Sequence, residues 1–198
     1  MTTFLLIRHA SHDRPGDTLL GWTPGVHLSE QGRAQAQRLR ERLAALPVAA
    51  VYSSPLSRAV ETAEILAAAW ERDVQCSEAF GEIDFGAWSG RRFDDLAADA
   101  RWGRWNSFRS GAPLPGGGSM LQVQARAVAG LVDLHDRHRE QTVAVVSHSD
   151  VIKAVIAHYL GVPLDLFGRI EISPASLSVL ALHDWGAQVL RLNDTGEV

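Results

Sequence analysis

The sequence predicts an α/β fold in which helices cover both faces of a largely parallel β-sheet. Two observations support this prediction: short continuous apolar runs alternate with amphipathic helical patterns, and two further runs near the C-terminus have the form of a hairpin. Continuous apolar strands are typical of parallel sheets, because both faces of such strands are buried. The chain has 198 residues, 46% of them hydrophobic, which is enough for one domain with a sizeable core.

Strand and helix alternate twice in the N-terminal half. The apolar runs FLLI, residues 4–7, and VAAVY, residues 48–52, are predicted strands. An amphipathic pattern follows each run and predicts helices over residues 29–46 and about 55–70. Ser54 is expected to cap the second helix, because a serine hydroxyl at the N-cap accepts a hydrogen bond from a free backbone N–H.

The same alternation returns in the C-terminal part. TVAVVS, residues 142–147, is a predicted strand, and DVIKAVIAHYLG, residues 150–161, is a predicted helix. The runs SLSVLALHD, residues 176–184, and AQVLRLND, residues 187–194, are joined near Gly186. Two such runs about a glycine turn predict a hairpin that completes the sheet.

The middle of the chain departs from this order. Residues 85–118 carry three of the six tryptophans, several arginines and most of a PLPGGGS segment, with weak periodicity until a helix begins near Ser119. A long stretch of this kind is more typical of a functional loop than of a second domain. We therefore predict a single domain over residues 1–198 with a lid-like insertion at about 85–118.

Composition argues against several classes of partner. The net charge is −4 and the basic residues are scattered, so we expect no broad basic surface for nucleic acid. Cys76 is the only cysteine, which rules out an internal disulfide and is typical of a reducing compartment. The N-terminal apolar run is too short for a signal peptide, and no stretch approaches the roughly 18 apolar residues of a membrane span. We expect a cytoplasmic protein, monomeric or homodimeric, with no membrane partner.

The predicted strands end in residues that can bind an anion. In an open α/β sheet, ligands bind beyond the carboxyl ends of the strands, where helix N-termini also lie. Arg8 and His9 follow the first strand, and Arg58 lies in the first turn of the helix after the second strand. His148 follows the late strand, and Ser149 beside it is a further candidate phosphate ligand. Two imidazoles and two guanidinium groups are therefore expected to meet at one edge of the sheet.

The charges at this edge fit a phosphoryl group. An arginine near a helix N-terminus, such as Arg58, is unfavourable unless an anion lies nearby, because the helix dipole already places partial positive charge there. Guanidinium groups match the geometry of phosphate oxygens. A neutral imidazole such as His9 can attack phosphorus and form a phosphohistidine. Glu82, in an apolar stretch, is the expected donor of a proton to the leaving oxygen.

Several segments resemble the histidine phosphatase superfamily, the phosphoglycerate mutase-like proteins. Arg8 and His9 after the first strand are similar to its arginine-histidine signature, and VVSHSDVIKAVI is similar to the segment around its late histidine. VYSSPLSRAVETAEILA, GEIDFGAWSG and HLSEQGRAQA resemble other parts of the family's pattern. The segments occur in the family's order and cover most of the chain, which makes the resemblance highly specific.

The resemblance implies a fold, a reaction and roles for the site residues. The implied fold is a three-layer α/β/α sandwich around a mainly parallel sheet with one antiparallel edge strand. His9 would be phosphorylated, and Arg8, Arg58 and His148 would bind the phosphoryl oxygens. Glu82 would act first as an acid and then as a base. No metal or organic cofactor is implied, so we expect a metal-independent phosphatase that hydrolyses phosphomonoesters.

Some positions depart from the family's pattern. Ala10 stands where the family usually has glycine, and its side chain resists a positive φ. Pro15 stands where many members have asparagine, which leaves room for His12, Asp13 or Arg14 to reshape the site. Gly118 stands where a glutamate is usual, and Asp150 where a small residue is usual. None of these changes removes a core catalytic group, but together they alter the surroundings of the substrate.

The sequence fits more than one substrate and more than one reaction. His12, Arg101 and Trp102 are candidate substrate ligands, and a packed lid with solvated arginines is the alternative for the insertion. Hydrolysis is favoured over a mutase reaction, because the segment between Glu82 and His148 is shorter than mutases of this resemblance usually need. A module that binds phosphorylated ligands with weak turnover is a further alternative.

Overall fold

A computed structural model describes residues 1–14 and 16–196 of the chain. The strands are β1 Thr2–Arg8, β2 Val48–Ser53, β3 Val74–Cys76, β4 Thr142–Ser147, β5 Leu177–His183 and β6 Gly186–Asp194. The helices are α1 Glu30–Leu43, α2 Ser57–Ala67, α3 Phe93–Ala97, α4 Ala100–Ser107, α5 Met120–Arg137 and α6 Ser149–Leu160. Short 3₁₀ helices lie at Glu78–Phe80, Gly86–Trp88 and Leu164–Arg169.

The strands form one six-stranded sheet in the order β3-β2-β4-β1-β5-β6. The four strands β1 to β4 pair in parallel, whereas β5 pairs antiparallel with both β1 and β6. The predicted fold class is confirmed, and its antiparallel part is the hairpin of β5 and β6. Strand β3 was not predicted, because the three residues VQC are too few to show a pattern.

The two faces of the sheet bury separate hydrophobic clusters. Successive residues of β1 alternate between them: Phe4 and Leu6 belong to one cluster, and Leu5 and Ile7 to the other. Helices α5 and α6 pack on the first face, while α1 and α2 pack on the second. The apolar run FLLI is therefore continuous because both of its faces are covered. Within the described residues, no helix has the length and apolar composition needed to cross a membrane.

Several helix ends follow local chemistry, but the start of α2 does not. Ser29 caps α1 by accepting from the Gly32 N–H, and α6 ends at Gly161 with a left-handed φ of 67°. The prediction that Ser54 caps the next helix is wrong. Helix α2 starts at Ser57, and Leu56 at its N-cap makes no side-chain cap bond. The Ser54 hydroxyl accepts from the Leu56 N–H at 3.3 Å, ahead of the helix, and lies 2.8 Å from His148 Nε2, at the carboxyl ends of the parallel strands.

The segment 85–118 packs onto the core and contains α3 and α4. Its fully buried side chains Leu96 and Trp105 belong to the same cluster as Phe4 of β1. At Gly86, φ is 55° and an added Cβ would lie 2.2 Å from the Pro115 carbonyl oxygen, so the turn requires glycine. The two ends of the segment are thus held together by close backbone contact, and its inner face lines the main cavity.

Candidate active site

The parallel register brings the predicted residues together at the carboxyl ends of β1, β2 and β4. Arg8 ends β1 and lies opposite Ser147 of β4, and the His9 N–H donates to the Ser147 carbonyl at 2.9 Å. His148 follows Ser147 as the N-cap of α6, and Arg58 is the second residue of α2. All of these positions are therefore consequences of strand pairing and of where the next helix begins.

The side chains of these residues form one compact cluster. The ring centres of His9 and His148 are 5.1 Å apart. Arg58 lies between them, with Nε 3.4 Å from His9 Nε2 and Nη2 3.3 Å from His148 Nδ1. A Glu82 carboxylate oxygen is 3.6 Å from His148 Nδ1. The structure thus brings together the two imidazoles, the guanidinium and the carboxyl group that the sequence singled out.

Hydrogen bonds assign the protonation state of His9. Its Nδ1 lies 2.8 Å from the Ala10 carbonyl oxygen, which can only accept, so Nδ1 carries the hydrogen. Nε2 then holds a lone pair, which accepts from Arg58. Burial and the charges of Arg58 and Arg8 bring the pKa of His9 well below its usual value of 6.5. A neutral imidazole with a free Nε2 lone pair is the form that can attack phosphorus.

His148 is fully buried and its ring has partners on both nitrogens. Nδ1 accepts from Arg58, and Nε2 lies 2.8 Å from the Ser54 hydroxyl. Burial and the charge of Arg58 also bring the pKa of His148 well below 6.5. Because a hydroxyl can donate or accept, Ser54 can support either neutral tautomer of the ring. When a phosphoryl oxygen takes the place of Arg58 at Nδ1, the neutral ring can therefore carry its hydrogen on Nδ1, with Nε2 accepting from Ser54.

Arg58 of the cluster carries buried positive charge, and Arg8 beside it is partly buried. Arg58 is 3% exposed and donates to the Gly21 carbonyl, while Arg8 Nη1 donates to the Ile172 carbonyl at 2.6 Å. Burial lowers the pKa of both groups, and the Glu82 charge opposes that shift. The Arg8 Nε atom is buried and has no acceptor among the described residues. Guanidinium donors held in this way favour an anion with several oxygens.

Glu82 has the environment of a general acid. Burial, and next the negative charge of Asp150, raise its pKa to about 7. One carboxylate oxygen accepts from the N–H of Ile83 at 3.0 Å, which fixes the side chain at the start of its own loop. A carboxyl group with this pKa can give up a proton and take it back near neutral pH.

His9, Arg58 and Glu82 of this cluster line a cavity of about 460 Å³, as does Arg8, whereas the fully buried His148 is not part of the lining. The rest of the lining comes mainly from the loop at residues 16–21 and from the insertion at about 85–118. The insertion contributes Phe93, Trp102, Asn106 and Arg109. The Arg109 guanidinium lies 4.4 Å from the Trp105 ring centre and pairs with Asp150 at 3.2 Å, opposite the insertion. Asn106 and Phe93 were not predicted, because a weakly periodic segment gives no sign of which side chains face inward.

The three predicted substrate ligands lie in different places. His12 and Trp102 both line the cavity, and the His12 ring centre is 5.9 Å from that of His9. Arg101 is absent from the cavity lining; its side chain is 66% exposed and pairs with Asp99 through two hydrogen bonds of 3.0 and 2.7 Å. Because Asp99 also caps α4, this pair is a local helix-end contact, and Arg101 lies outside the proposed substrate site.

The departures from the family pattern have local explanations. Ala10 is not among the described non-glycine residues with positive φ, so its backbone does not carry the expected steric cost. Its N–H donates to the Thr62 hydroxyl and its side chain is fully buried. Gly118 has room for a side chain and lines a second cavity, on which Glu82 also borders. Pro15 lies outside the described residues. Ser149 lines the main cavity, and its hydroxyl is 3.4 Å from the Ile172 carbonyl.

The described residues contain no group of three or more histidine, cysteine, aspartate and glutamate side chains arranged to hold a metal ion.

The fold and the strand-end cluster are those of a histidine phosphatase. The sequence profile of the histidine phosphatase superfamily (branch 1) matches residues 4–195, and the chain belongs to this superfamily. Phosphoserine phosphatase 1 of Hydrogenobacter thermophilus is 32% identical over 98% of this chain and 93% of its own length. A probable phosphoglycerate mutase of Salmonella choleraesuis is 27% identical over 100% of this chain and 94% of its own length. The solved structure of a mycobacterial glucosyl-3-phosphoglycerate phosphatase aligns with a TM-score of 0.88 and 26% identity, covering 97% of this chain and 98% of that one.

Proposed function

We propose that this protein is a phosphatase that hydrolyses small phosphomonoesters through a phosphohistidine on His9. The observation that carries the proposal is the neutral His9 ring, whose Nε2 lone pair faces Arg58 while Nδ1 is held by the Ala10 carbonyl. Arg8 and Arg58 supply fixed donors for the phosphoryl oxygens, and Glu82 supplies an acid with a pKa of about 7. Membership of the family and the phosphatase names of its relatives support the same reaction.

The reaction takes two displacements at phosphorus. In the first, His9 Nε2 forms a bond to phosphorus, the bond to the ester oxygen breaks, and the Glu82 carboxyl protonates that oxygen. In the second, a water molecule attacks the phosphohistidine, gives its proton to the Glu82 carboxylate and restores the Nε2 lone pair. Arg8, Arg58 and an N–H of His148 stabilise the charge on the phosphoryl oxygens in both steps. The contacts of 3.3 and 3.4 Å from Arg58 to the imidazoles are weak enough for phosphoryl oxygens to replace them.

Phosphate release from p-nitrophenyl phosphate in the presence of EDTA tests the proposed reaction. We expect steady release, an acid-labile phosphoprotein in quenched samples, and the same rate without the chelator. Isomerisation of phosphoglycerate with little release would instead support a mutase, the activity in the name of the Salmonella relative. Binding of phosphate or vanadate without any phosphoprotein would support a binding module. Loss of activity in EDTA would contradict the metal-independent mechanism.

Substitution of Glu82 by glutamine should affect substrates according to their leaving group. We expect kcat/KM for an alkyl phosphate to fall about 100-fold or more, and for p-nitrophenyl phosphate by less than about 10-fold, because nitrophenolate leaves without a proton. In the wild type, kcat/KM for the alkyl phosphate should fall as the pH rises through about 7, where Glu82 loses its proton. This limb of the profile should vanish in Glu82→Gln.

The exposed residue Glu78 provides a matched control for that experiment. Glu78→Gln removes a carboxylate four residues away in the same segment and should leave both rates within about 2-fold. Equal losses on both substrates in Glu82→Gln would argue against the acid role.

The apolar side of the cavity is a candidate site for the alcohol part of the substrate. Trp102 and Phe93 both line it, with ring centres 6.1 Å apart, and Phe93 remains 38% exposed. Exposed aromatic side chains in a cavity are typical of a binding surface. We propose that this pair contacts the alcohol moiety, with His12 at the phosphate end of the cavity.

Trp102→Ala should raise KM for an aryl phosphate by about 3- to 10-fold, the value of one aromatic contact, with kcat little changed. KM for glycerol 2-phosphate should stay within about 2-fold, because a small polar alcohol makes little contact with the ring. Trp185→Ala serves as the control, since Trp185 is 73% exposed and lies outside the cavity lining. A uniform change in KM for both substrates would remove Trp102 from the substrate site.

We further propose that the protein acts in the cytoplasm as a monomer or homodimer. The exposed thiol of Cys76 and the absence of any other cysteine fit a reducing compartment. Size-exclusion chromatography with light scattering would measure the oligomeric state directly.

A further inference from the structure

The segment that carries Glu82 is held from outside by an unusual number of hydrogen bonds. Arg126 of α5 donates to four of its carbonyl oxygens, those of Glu78, Ala79, Gly81 and Glu82, at 2.5–2.9 Å. The remaining carbonyl, that of Phe80, accepts from the Ser147 hydroxyl at 2.6 Å. Every backbone carbonyl from residue 78 to residue 82 is therefore bound by a side chain of another element.

The local backbone explains why such support is needed. Residues Glu78–Phe80 form a single 3₁₀ turn, which leaves the carbonyls at its end without partners inside the helix. A short turn of this kind has few bonds of its own to resist movement. One guanidinium can donate to several carbonyls at once because its five N–H groups form a rigid planar fork. Within the turn, the Glu78 carbonyl accepts from the Gly81 N–H at 3.0 Å, and Arg126 adds bonds at Ala79, Gly81 and Glu82 that a longer helix would have made.

The Glu82 carbonyl oxygen accepts hydrogen bonds from two side chains of other elements. It accepts from Arg126 at 2.9 Å and from Trp22 Nε1 at 2.7 Å. Trp22 also packs closely on the preceding residue, because a Cβ on Gly81 would lie 2.7 Å from its ring. Arg126 and Trp22 hold the backbone of Glu82. Its side chain extends to the catalytic cluster, where a carboxylate oxygen lies 3.6 Å from His148 Nδ1.

Resting on the proposed function, we propose that Arg126 is a positioning residue for the general acid: it holds Glu82 where the carboxyl group can protonate the leaving oxygen. Arg126 lines the second cavity with Glu82 and is absent from the main cavity, where His9, Arg8 and Arg58 lie, so it acts on the reaction through Glu82. General acid catalysis depends on the distance between donor and acceptor, and a misplacement of about 1 Å can cost about 100-fold in rate. The attack by His9 does not depend on this segment.

Leaving-group dependence separates positioning of the acid from a general structural role. We expect Arg126→Ala to lower kcat/KM for glycerol 2-phosphate by about 10- to 100-fold and that for p-nitrophenyl phosphate by less than about 3-fold. In a Glu82→Gln background the same change should add less than about 3-fold for glycerol 2-phosphate, because the acid it positions is gone. For Arg126→Lys, kcat/KM for glycerol 2-phosphate should lie between the values for the wild type and Arg126→Ala, because an ammonium keeps the charge but cannot form the planar fork.

Two further variants keep this test decisive. Trp22→Phe removes the second donor to the Glu82 carbonyl and provides the test if Arg126→Ala fails to fold. It should also lower the substrate ratio, that is, kcat/KM for glycerol 2-phosphate divided by kcat/KM for p-nitrophenyl phosphate. Arg137→Ala removes an exposed arginine of the same helix, paired with Asp133, and should leave the ratio unchanged.

Equal losses on both substrates, or no loss on glycerol 2-phosphate, would overturn the positioning role of Arg126. Failure of the proposed function is distinguishable, because the wild type would then form no acid-labile phosphoprotein from p-nitrophenyl phosphate. A phosphoprotein in the wild type together with an unchanged substrate ratio in the Arg126 and Trp22 variants would contradict this inference alone.

Discussion

Replacement of His9 by alanine should abolish the phosphoprotein and lower kcat/KM by at least about 10⁴-fold, the largest effect we expect from any single substitution. The reason is that the proposed first displacement has no other nucleophile. His148, the nearest imidazole, is fully buried and both of its ring nitrogens already have partners. Rapid acid quenching of the enzyme with ³²P-labelled substrate would measure the loss.

The same variant should keep its affinity for phosphate. Arg8 and Arg58 remain in place, and Arg58 keeps its bond to the Gly21 carbonyl. Binding of inorganic phosphate or vanadate within about 5-fold of the wild type would show that the pocket is intact. His158→Ala, which alters an exposed histidine of α6, is the matched control and should leave turnover unchanged. An acid-labile phosphoprotein that persists in His9→Ala would contradict the assignment of the nucleophile.

Replacement of Arg8 by alanine should cost about 3–4 kcal/mol of transition-state stabilisation, or roughly 10²- to 10³-fold in kcat/KM. Arg8 is held by the Ile172 carbonyl at 2.6 Å, and its buried Nε has no acceptor among the described residues. These donors are preorganised for oxygens whose charge changes during phosphoryl transfer. Both kcat and kcat/KM should fall, because the contact is stronger in the transition state than in the bound substrate.

A second arginine gives the comparison that this prediction needs. Arg101→Ala removes an exposed guanidinium outside the main cavity and should change kcat/KM by less than about 2-fold. Arg8→Lys keeps the charge but loses the fork, so it should recover only part of the rate. An unchanged rate in Arg8→Ala would exclude Arg8 from the phosphate site.

The order of the strands and helices could be predicted because a strand that is buried on both faces is apolar at successive positions. FLLI is apolar at every position since β1 is covered on both faces, and the same holds for the run in β4. The carboxyl end of each strand is then visible as a sudden change from apolar residues to Arg8 and His9 or to His148. Strand β3 has only three residues and leaves no such trace.

The cap of α2 shows where a local rule gives way to the site. Ser54 has the residue type and position of an N-cap, but its hydroxyl lies beside His148 and the helix starts later. Positions at which sequence rules fail in this way are expected near functional groups. The misplaced cap therefore marks a contact that local sequence could not show.

The far wall of the cavity depended on the tertiary structure. Arg109 and Asp150 are 41 residues apart in sequence and pair directly in the cavity wall. Arg101 and Arg109 look alike in sequence, yet Arg101 faces solvent and Arg109 lines the cavity. Trp105 of α4 packs into the core, and Arg109, just beyond the end of that helix, lies with its guanidinium 4.4 Å from the Trp105 ring centre, which places it at the cavity. A segment without clear periodicity does not encode that direction locally.

The sequence by itself determined five of the six strands, the residues at the strand ends and hence the chemistry of the phosphate site, because parallel pairing places those ends side by side. Only the tertiary structure decided how the acid is held and what surrounds the substrate. Arg126 reaches the Glu82 segment from 44 residues away. Contacts of this kind are chosen by packing in three dimensions, and neither residue type nor spacing along the chain records them.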